Sequence, residues 1–186
     1  GAHPPARRMT RLFFALVPPA AVREQLVAIQ AAVIPQRARP VPVANLHLTL
    51  AFLGPVAGSG RAALLDHPAP PAVGRFELVL DRLGLWRRRE IAWLAPATPA
   101  PALTALAGHL AACGELAGVP REARDFRPHV TLARRCRRLR QARAGAQAGV
   151  RVSWPVREYA LMASVTVPGG VRYDVLATRP LDPAAR

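Results

Sequence analysis

The sequence contains no lysine, because all 26 of its basic residues are arginines. Without lysine the chain cannot form a Schiff base with a carbonyl substrate or a covalent lysyl-nucleotide. It also cannot complete a P-loop, in which a lysine reaches the β- and γ-phosphates of a nucleotide. ATP-dependent joining of nucleic-acid ends through lysyl-AMP is therefore excluded.

Cysteine is scarce, since Cys113 and Cys136 are the two present. They lack CxxC spacing, which fits a reducing cytoplasm better than a disulfide framework. No apolar run approaches the ~20 residues that a membrane-spanning helix needs. Residues 1–8 lack the apolar stretch of a secretory signal. We expect a cytoplasmic protein with no membrane partner, in which residues 1–8 are a disordered extension or cloning remnant before one domain over residues 9–182.

Acidic residues are also few, with 11 against 26 basic ones, for a formal net charge of +15 over 186 residues. A charge of this size favours a polyanionic partner, and nucleic acid is the first candidate. Membrane phosphate is the weaker alternative, because no basic amphipathic helix is evident. Hydrophobic residues make up 51% of the chain, enough to bury the core of one domain or of two small lobes.

The hydrophobic patterns predict an α+β chain with mostly antiparallel pairing. In the first helix, Val22, Leu26, Ile29 and Val33 form one apolar stripe, while Gln30 faces elsewhere. Residues 37–44 form a proline-broken loop, and residues 135–149 an irregular, exposed crossing. Strands are predicted at residues 11–16, 46–53, 76–85, 90–94, 128–133, 151–154, 158–167 and 172–178, and helices at residues 20–34, 59–66 and 100–116.

One sequence pattern occurs twice, 82 positions apart: histidine, an apolar residue, threonine and leucine. The first copy begins at His47 and the second at His129, and each lies in a predicted strand. Residues i and i+2 of a strand point to the same face. His47 and Thr49 therefore share one face, as do His129 and Thr131, and the apolar positions between them face the core.

Two such strands facing each other would form a site with two histidines and two hydroxyls, which suits phosphodiester hydrolysis. A neutral imidazole can take a proton from the attacking water while a protonated one gives a proton to the leaving oxygen. An unperturbed histidine pKa near ~6.5 allows both states around neutrality. The threonine hydroxyls can donate to the non-bridging phosphate oxygens. The arrangement needs no metal and no cofactor, and the scattered acidic residues offer no carboxylate cluster to hold a metal.

The remaining histidines lack this context. His3 lies in the N-terminal extension, His67 in a proline-rich loop, and His109 on a predicted helix, as a surface or packing residue.

The chain resembles the two-histidine phosphoesterases, and within them the bacterial and archaeal RNA 2′,3′-cyclic phosphodiesterases, long named 2′-5′ RNA ligases. Three segments carry the resemblance: RLFFAL at 11–16, NLHLTLAFLG at 45–54 and RPHVTLAR at 127–134. The resemblance covers roughly residues 11–180. It implies a bilobal fold of two antiparallel sheets with flanking helices, related by pseudo-twofold symmetry around a central cleft, with one motif from each lobe.

The same resemblance implies metal-independent hydrolysis of a terminal 2′,3′-cyclic phosphate on RNA to a 2′-phosphate, with reversible 2′-5′ ligation as an associated activity. It makes His129 the base and His47 the acid, and Thr49 and Thr131 the phosphate-binding residues. Arg134 stands where the family has an arginine that can bind phosphate. Strict alternation points it away from His129, so this role requires the strand to end or bulge nearby. We expect a monomer.

Two aromatic residues and two groups of arginines are left with open interpretations. Phe13 could stack on a base or belong to the core, and Phe52, one position out of phase with His47, is placed in the core. Six arginines within residues 134–143, with three more at residues 87–89, form either an electrostatic track for RNA or a solvated basic loop.

Two other functions stay open from sequence alone. The site could act on a small cyclic phosphate, such as ADP-ribose 1″,2″-cyclic phosphate, or on a 2′-5′ oligonucleotide. The chain could instead be a non-catalytic RNA-binding module.

Overall fold

The computed structural model describes residues 10–70, 73–140 and 149–183, which leaves the predicted extension at residues 1–8 outside the described residues. The expected α+β class is confirmed, with two antiparallel sheets and three helices in these ranges. The strands are β1 (Arg11–Leu16), β2 (Arg39–Pro40), β3 (Leu48–Pro55), β4 (Phe76–Leu80), β5 (Arg82–Trp86), β6 (Ile91–Ala95), β7 (Val130–Arg134), β8 (Val152–Val156), β9 (Glu158–Val167) and β10 (Gly170–Pro180). The helices are α1 (Ala20–Val33), α2 (Gly58–Leu65) and α3 (Pro101–Leu116).

Eight of these strands form one sheet in the order β10-β9-β1-β3-β7-β6-β5, with β2 also paired to β7. The two halves of the sheet meet at a single antiparallel pair, Leu48 of β3 with Val130 of β7. These are the apolar second residues of the two repeated motifs. The motif strands are therefore neighbours, one from each half of the sheet.

The apolar residues of both motifs anchor this junction in one continuous core. As expected, Leu48, Leu50, Val130 and Leu132 are all buried. Helix α3 packs against β3, and α1 contacts β7 and β8. Burial of the core face leaves the opposite face of the junction to the histidines and threonines.

The prediction of one strand over residues 76–85 is wrong, because the chain passes between two sheets at Asp81. β4 pairs with β8 in a separate two-stranded sheet, whereas β5 pairs with β6 in the large one. The Asp81 backbone N–H donates to the Ala95 carbonyl, and its Oδ1 accepts the Ala97 N–H at 2.8 Å. These hydrogen bonds fix the crossing, and because their partners lie at and just after the end of β6, the sequence of residues 76–85 does not reveal it.

The prediction that Gln30 faces away from the core is also wrong. Gln30 is buried with Val22, Leu26 and Val33, while Ile29 is half-buried. The Gln30 side-chain amide donates to the carbonyls of Leu132, at 2.8 Å, and Val41, at 3.0 Å. Two carbonyl partners make the burial of this polar group favourable.

Two segments predicted as irregular are joined to the rest of the fold by a strand pair or by backbone hydrogen bonds. Residues 37–44 contain β2, which pairs with the end of β7. In the predicted exposed crossing, Cys136 is buried and its N–H donates to the Glu90 carbonyl, while the Arg140 N–H donates to the Val33 carbonyl at 2.7 Å. The crossing continues into residues 141–148, which lie outside the described residues.

Cys113 and Cys136 are both free and buried. Across the described ranges, none of the helices has the length and apolar character to span a membrane.

Candidate active site

His47 and His129 each stand one residue before a strand, at the junction of the two motif strands. Each ring is held by the backbone carbonyl two residues earlier in the chain. The Nδ1–H of His47 donates to the Asn45 carbonyl at 2.7 Å, and that of His129 donates to the Arg127 carbonyl at 2.8 Å. The two motifs therefore orient their imidazoles by the same local device.

These hydrogen bonds set the tautomer of both rings. A carbonyl oxygen can only accept, so Nδ1 carries the proton and Nε2 is the nitrogen left for proton exchange. In His47, Nε2 accepts a hydrogen bond from the Thr49 hydroxyl at 3.1 Å. Imidazole and hydroxyl thus lie together on one face of the first motif, as the i, i+2 spacing predicts.

Aromatic rings support each imidazole from a different strand. His47 packs against Tyr173, with 4.9 Å between centroids, and against Phe13, at 5.2 Å. His129 packs edge-to-face against Trp86, with 4.6 Å between centroids. Aromatic pairs in this distance range prefer such tilted and edge-to-face arrangements. Each histidine is therefore fixed on two sides, by a backbone carbonyl and by an aromatic wall.

The surroundings lower the pKa of both histidines below the ordinary value of 6.5. Burial is the main cause for both residues, since it disfavours the charged form. The positive charge of Arg134 lowers the pKa of both rings, His129 acts on His47, and Arg89 acts on His129. The hydrogen bonds to the two backbone carbonyls oppose this by raising the pKa.

A bulge in β7 turns Arg134 toward the same face as Thr131. Thr131 pairs with Trp93 of β6, and the next pair is Ala133 with Ala92, so β7 has one extra residue at Leu132. A bulge of this kind reverses the alternation of side chains beyond it. Arg134 consequently lines the cleft together with His47 and His129. The strand bulge that a phosphate-binding role of Arg134 required is therefore present.

A second bulge corrects the placement of Phe52, which the sequence assigned to the core. The pairs Ala15–Thr49 and Phe14–Ala51 leave Leu50 as an extra residue in β3. Phe52 therefore lies across from Phe13 on the cleft face, with 44% of its surface exposed. Phe13 is only 4% exposed, because it packs beneath the rings of His47 and Tyr173.

The histidines open into a cleft of about 770 Å³, within the ~300–1,000 Å³ range of small-molecule sites. Both threonines of the motifs line this cleft. Among the described residues that line it there are four arginines and no carboxylate; the arginines are Arg11, Arg39, Arg134 and Arg135. The cleft therefore offers hydrogen-bond donors and positive charge to an anionic ligand.

The other arginines of residues 134–143 have different surroundings. Arg137 forms an ion pair with Glu90 at 2.6 Å, and the Arg140 side chain donates to the Ala31 carbonyl at 3.4 Å. Arg143 lies outside the described residues. Of the six, Arg134 and Arg135 line the cleft.

The two described histidines outside the motifs, His67 and His109, have structural contacts. His67 is buried, donates from Nδ1 to the Leu64 carbonyl and accepts at Nε2 from the Tyr159 hydroxyl, both at 2.6 Å. His109 contacts the Pro68 carbonyl at 3.0 Å. His3 lies outside the described residues. In the ranges that the structure covers, no group of three or more histidine, cysteine or acidic side chains is placed to hold a metal ion.

Sequence reasoning missed the aromatic supports Tyr173 and Trp86 and the cleft arginines Arg11 and Arg39. Three of the four lie on strands distant in sequence from the motif that they approach, so no local spacing could reveal them. Arg39 follows the predicted helix by only a few residues, but its position depends on the unpredicted pairing of β2 with β7.

Comparisons with known proteins identify the family of the chain. The sequence model of the 2′-5′ RNA ligase superfamily matches residues 17–167. An RNA 2′,3′-cyclic phosphodiesterase of Escherichia coli (strain K12) is 38% identical over 167 residues, which cover 89% of this chain and 93% of the relative. An RNA 2′,3′-cyclic phosphodiesterase of Thermus thermophilus is 34% identical over 179 residues, covering 89% and 87%. The crystal structure of E. coli LigT complexed with 3′-AMP is 34% identical, with a TM-score of 0.75 over 92% of this chain and 98% of that one.

Proposed function

The chain belongs to the 2′-5′ RNA ligase superfamily and is a cyclic phosphodiesterase; on that premise we propose that it hydrolyses the terminal 2′,3′-cyclic phosphate of RNA with His47 and His129 as its acid–base pair. The observation that carries this proposal is the pairing of β3 with β7. It brings two imidazoles with the same tautomer to one cleft, and in each ring Nε2 is the nitrogen left for proton exchange.

Hydrolysis to a 2′-phosphate requires one proton to be removed and one to be supplied. Water attacks phosphorus as Nε2 of neutral His129 takes its proton, and the bond between phosphorus and O3′ breaks. Nε2 of protonated His47 gives its proton to O3′, which leaves as a hydroxyl. The product is a 2′-phosphomonoester, and the two histidines have exchanged protonation states.

Hydroxyl and guanidinium donors supply the remaining catalytic help. Thr49 and Thr131 line the cleft on either side of the strand junction, where their hydroxyls can donate to the non-bridging oxygens as negative charge develops. Arg134 adds a full positive charge and lines the same cleft as both histidines, where it can neutralise the phosphate. The two threonine hydroxyls and Arg134 can together stabilise the negative charge on the phosphate, so we propose that no metal takes part.

The nucleoside next to the phosphate has an aromatic surface available to it. Phe52 lines the same cleft as the histidines and is exposed, whereas Phe13 is covered by the rings above it. Stacking of a base on an aromatic side chain contributes about 1–3 kcal/mol. We therefore assign base contact to Phe52 and assign Phe13 to the support of His47.

The test is incubation of the protein with an oligoribonucleotide that ends in a 2′,3′-cyclic phosphate, in the presence of EDTA. The position of the phosphate in the product is then mapped. We expect a 2′-phosphate product that forms at the same rate with and without EDTA. Formation of a 3′-phosphate, or inhibition by EDTA, would contradict the mechanism.

Matched histidine variants assign the activity to the site. His47→Ala and His129→Ala should each lower kcat by at least about 10²-fold, the lower end of the usual contribution of a general acid or base. His109→Ala is the control, because this histidine lies on α3 outside the cleft and should leave the rate unchanged. Circular dichroism of the three variants checks that the fold is retained.

A further inference from the structure

Four arginines share the cleft, and the described residues give none of them an ion-pair partner. Elsewhere in the same ranges, arginines do pair with carboxylates: Arg121 with Glu115, Arg137 with Glu90, and Arg172 with Asp174. No carboxylate among the described residues lines the cleft to neutralise these arginines, so their charge is left for a ligand.

Two of these arginines stand directly opposite each other. Arg39 of β2 pairs with Arg134 of β7 in an antiparallel register. Like charges in directly opposite positions destabilise a strand pair. The next residue, Arg135, adopts a left-handed backbone with φ of 52°, which is unfavourable for a residue with a side chain. The fold thus holds positive charge together at the outer end of β7, an arrangement that a bound anion would stabilise.

The number of charges exceeds what the reacting phosphate requires. A 2′,3′-cyclic phosphodiester carries one negative charge, and Arg134 with the two threonine hydroxyls can satisfy it. Arg39 lies across from Arg134, on the edge of β7 that also pairs with β3, and strands paired in this way are about 4.7–4.9 Å apart. Arg11 lies on the other side of the cleft, on β1, at the pair with Pro55. Three guanidinium groups therefore stay available for further anions.

We infer that Arg39, Arg11 and Arg135 form a second phosphate subsite, which binds the internucleotide phosphates just upstream of the cyclic end. The inference rests on the proposed function and specifies its substrate class: the end of an oligonucleotide rather than a free nucleoside 2′,3′-cyclic phosphate. The nucleic-acid backbone fits this subsite because it carries a regular series of single negative charges that arginines recognise with their paired N–H groups.

The test compares the hydrolysis of a nucleoside 2′,3′-cyclic phosphate with that of a tetranucleotide carrying the same end. Arg39→Gln and Arg11→Gln should each lower kcat/KM for the tetranucleotide about tenfold, as expected for loss of one charge-assisted hydrogen bond. They should leave kcat/KM for the mononucleotide within twofold. The plot of log kcat/KM for the tetranucleotide against log salt concentration should become less steep by about 0.7 per arginine removed, the value for a single strand.

Arg151→Gln is the matched control, since it removes the same charge from an exposed position outside the cleft. An equal loss for both substrates, or no loss for the tetranucleotide, would overturn the second subsite. A larger loss for ADP-ribose 1″,2″-cyclic phosphate than for the tetranucleotide would overturn it too, because the arginines would then bind a pyrophosphate.

A binding measurement separates this inference from the proposed reaction. Fluorescence anisotropy with a labelled tetranucleotide ending in a 2′-phosphate reports binding without turnover. Weaker binding by Arg39→Gln than by Arg151→Gln supports the subsite even if hydrolysis fails, and equal binding contradicts it.

Discussion

The indole of Trp86 meets the imidazole of His129 edge-to-face, with 4.6 Å between the ring centroids and 76° between the ring planes. Trp86 is itself supported by Trp93, whose ring centroid lies 5.5 Å away. Trp93 pairs across the sheet with Gly84 on one side and Thr131 on the other. A row of aromatic contacts thus extends from the edge of the sheet to the second motif histidine.

Replacement of Trp86 should reduce catalysis without unfolding the protein. Trp86→Leu removes an aromatic contact of about 0.5–1.5 kcal/mol, so we expect kcat to fall about three- to tenfold. Trp86→Phe keeps a ring beside His129 and should restore most of the rate. The measurement is kcat and KM for a cyclic-phosphate oligonucleotide, and an effect confined to KM would contradict a role in holding His129.

A substitution at Gly84 is a second test of the contacts that link Trp93, Trp86 and His129. A Cβ at Gly84 would come within 2.1 Å of the Trp93 ring, whereas a Cβ at Gly108 of α3 would meet nothing within 4 Å. Gly84→Ala should therefore displace Trp93 and lower kcat, while Gly108→Ala should leave kcat unchanged. Equal rates for the two variants would show that Trp93 does not influence His129.

The lowered pKa values of both histidines predict an acidic optimum. Catalysis needs one neutral and one protonated imidazole, and this form is most abundant between the two pKa values of the pair. Since both lie below 6.5 in the free protein, kcat/KM should be greatest below pH 6.5 and fall as the pH rises, because the acid loses its proton. A profile of kcat/KM against pH checks this, and an optimum above pH 7 would contradict it.

Arg89 provides a means to tell the two histidines apart in that profile. Its charge lowers the pKa of His129, and it is not among the causes for His47. Arg89→Gln should therefore raise the pKa of His129 alone, as an NMR titration of the imidazole signals can measure. With His129 as base, the acidic limb of the profile should move to higher pH. Movement of the alkaline limb would exchange the two roles.

The sequence predicts the centre of the site better than its periphery. His47 and Thr49 share a face because side chains two residues apart in a strand point the same way, and the bulge in β3 comes after Thr49. Phe52 and Arg134 lie beyond a bulge, where alternation counted from the motif histidine is reversed. A bulge depends on the register with the neighbouring strands, so it cannot be predicted from the sequence of one strand alone.

Long-range polar contacts limit the prediction of the fold in the same way. The stripe of α1 correctly places Val22, Leu26 and Val33, but the burial of Gln30 depends on carbonyls in β7 and in the loop after β2. At Asp81 the chain changes sheets, and the crossing depends on hydrogen bonds with Ala95 and Ala97. In both cases the deciding partner is distant in sequence.

The Thr49 hydroxyl should be worth about 10²-fold in kcat, the usual effect of removing one donor to a developing negative charge. Thr49→Val removes the hydroxyl with little change in shape and also leaves Nε2 of His47 without its 3.1 Å partner. Thr49→Ser should recover most of the activity. Thr104→Val, on the exposed face of α3, is the control, and single-turnover rates decide the outcome. An unchanged single-turnover rate in Thr49→Val would exclude the hydroxyl from the reaction.

Gln30 should contribute to stability far more than Gln25, which lies on the same helix. Gln30→Leu leaves the half-buried Val41 carbonyl without the Gln30 donor and removes one of two donors to the Leu132 carbonyl. A fully buried acceptor left without a donor costs about 1–3 kcal/mol, so for this half-buried carbonyl the free energy of unfolding in urea should fall by about 1 kcal/mol, the lower end of that range. The Gln25 amide contacts only the Ala21 carbonyl, at an exposed position, and Gln25→Leu should change the free energy by less than about 0.5 kcal/mol. Because the lost hydrogen bond to Leu132 also attaches α1 to β7, Gln30→Leu should lower kcat. Equal stability of Gln30→Leu and Gln25→Leu would mean that Gln30 does not hold β7 in place.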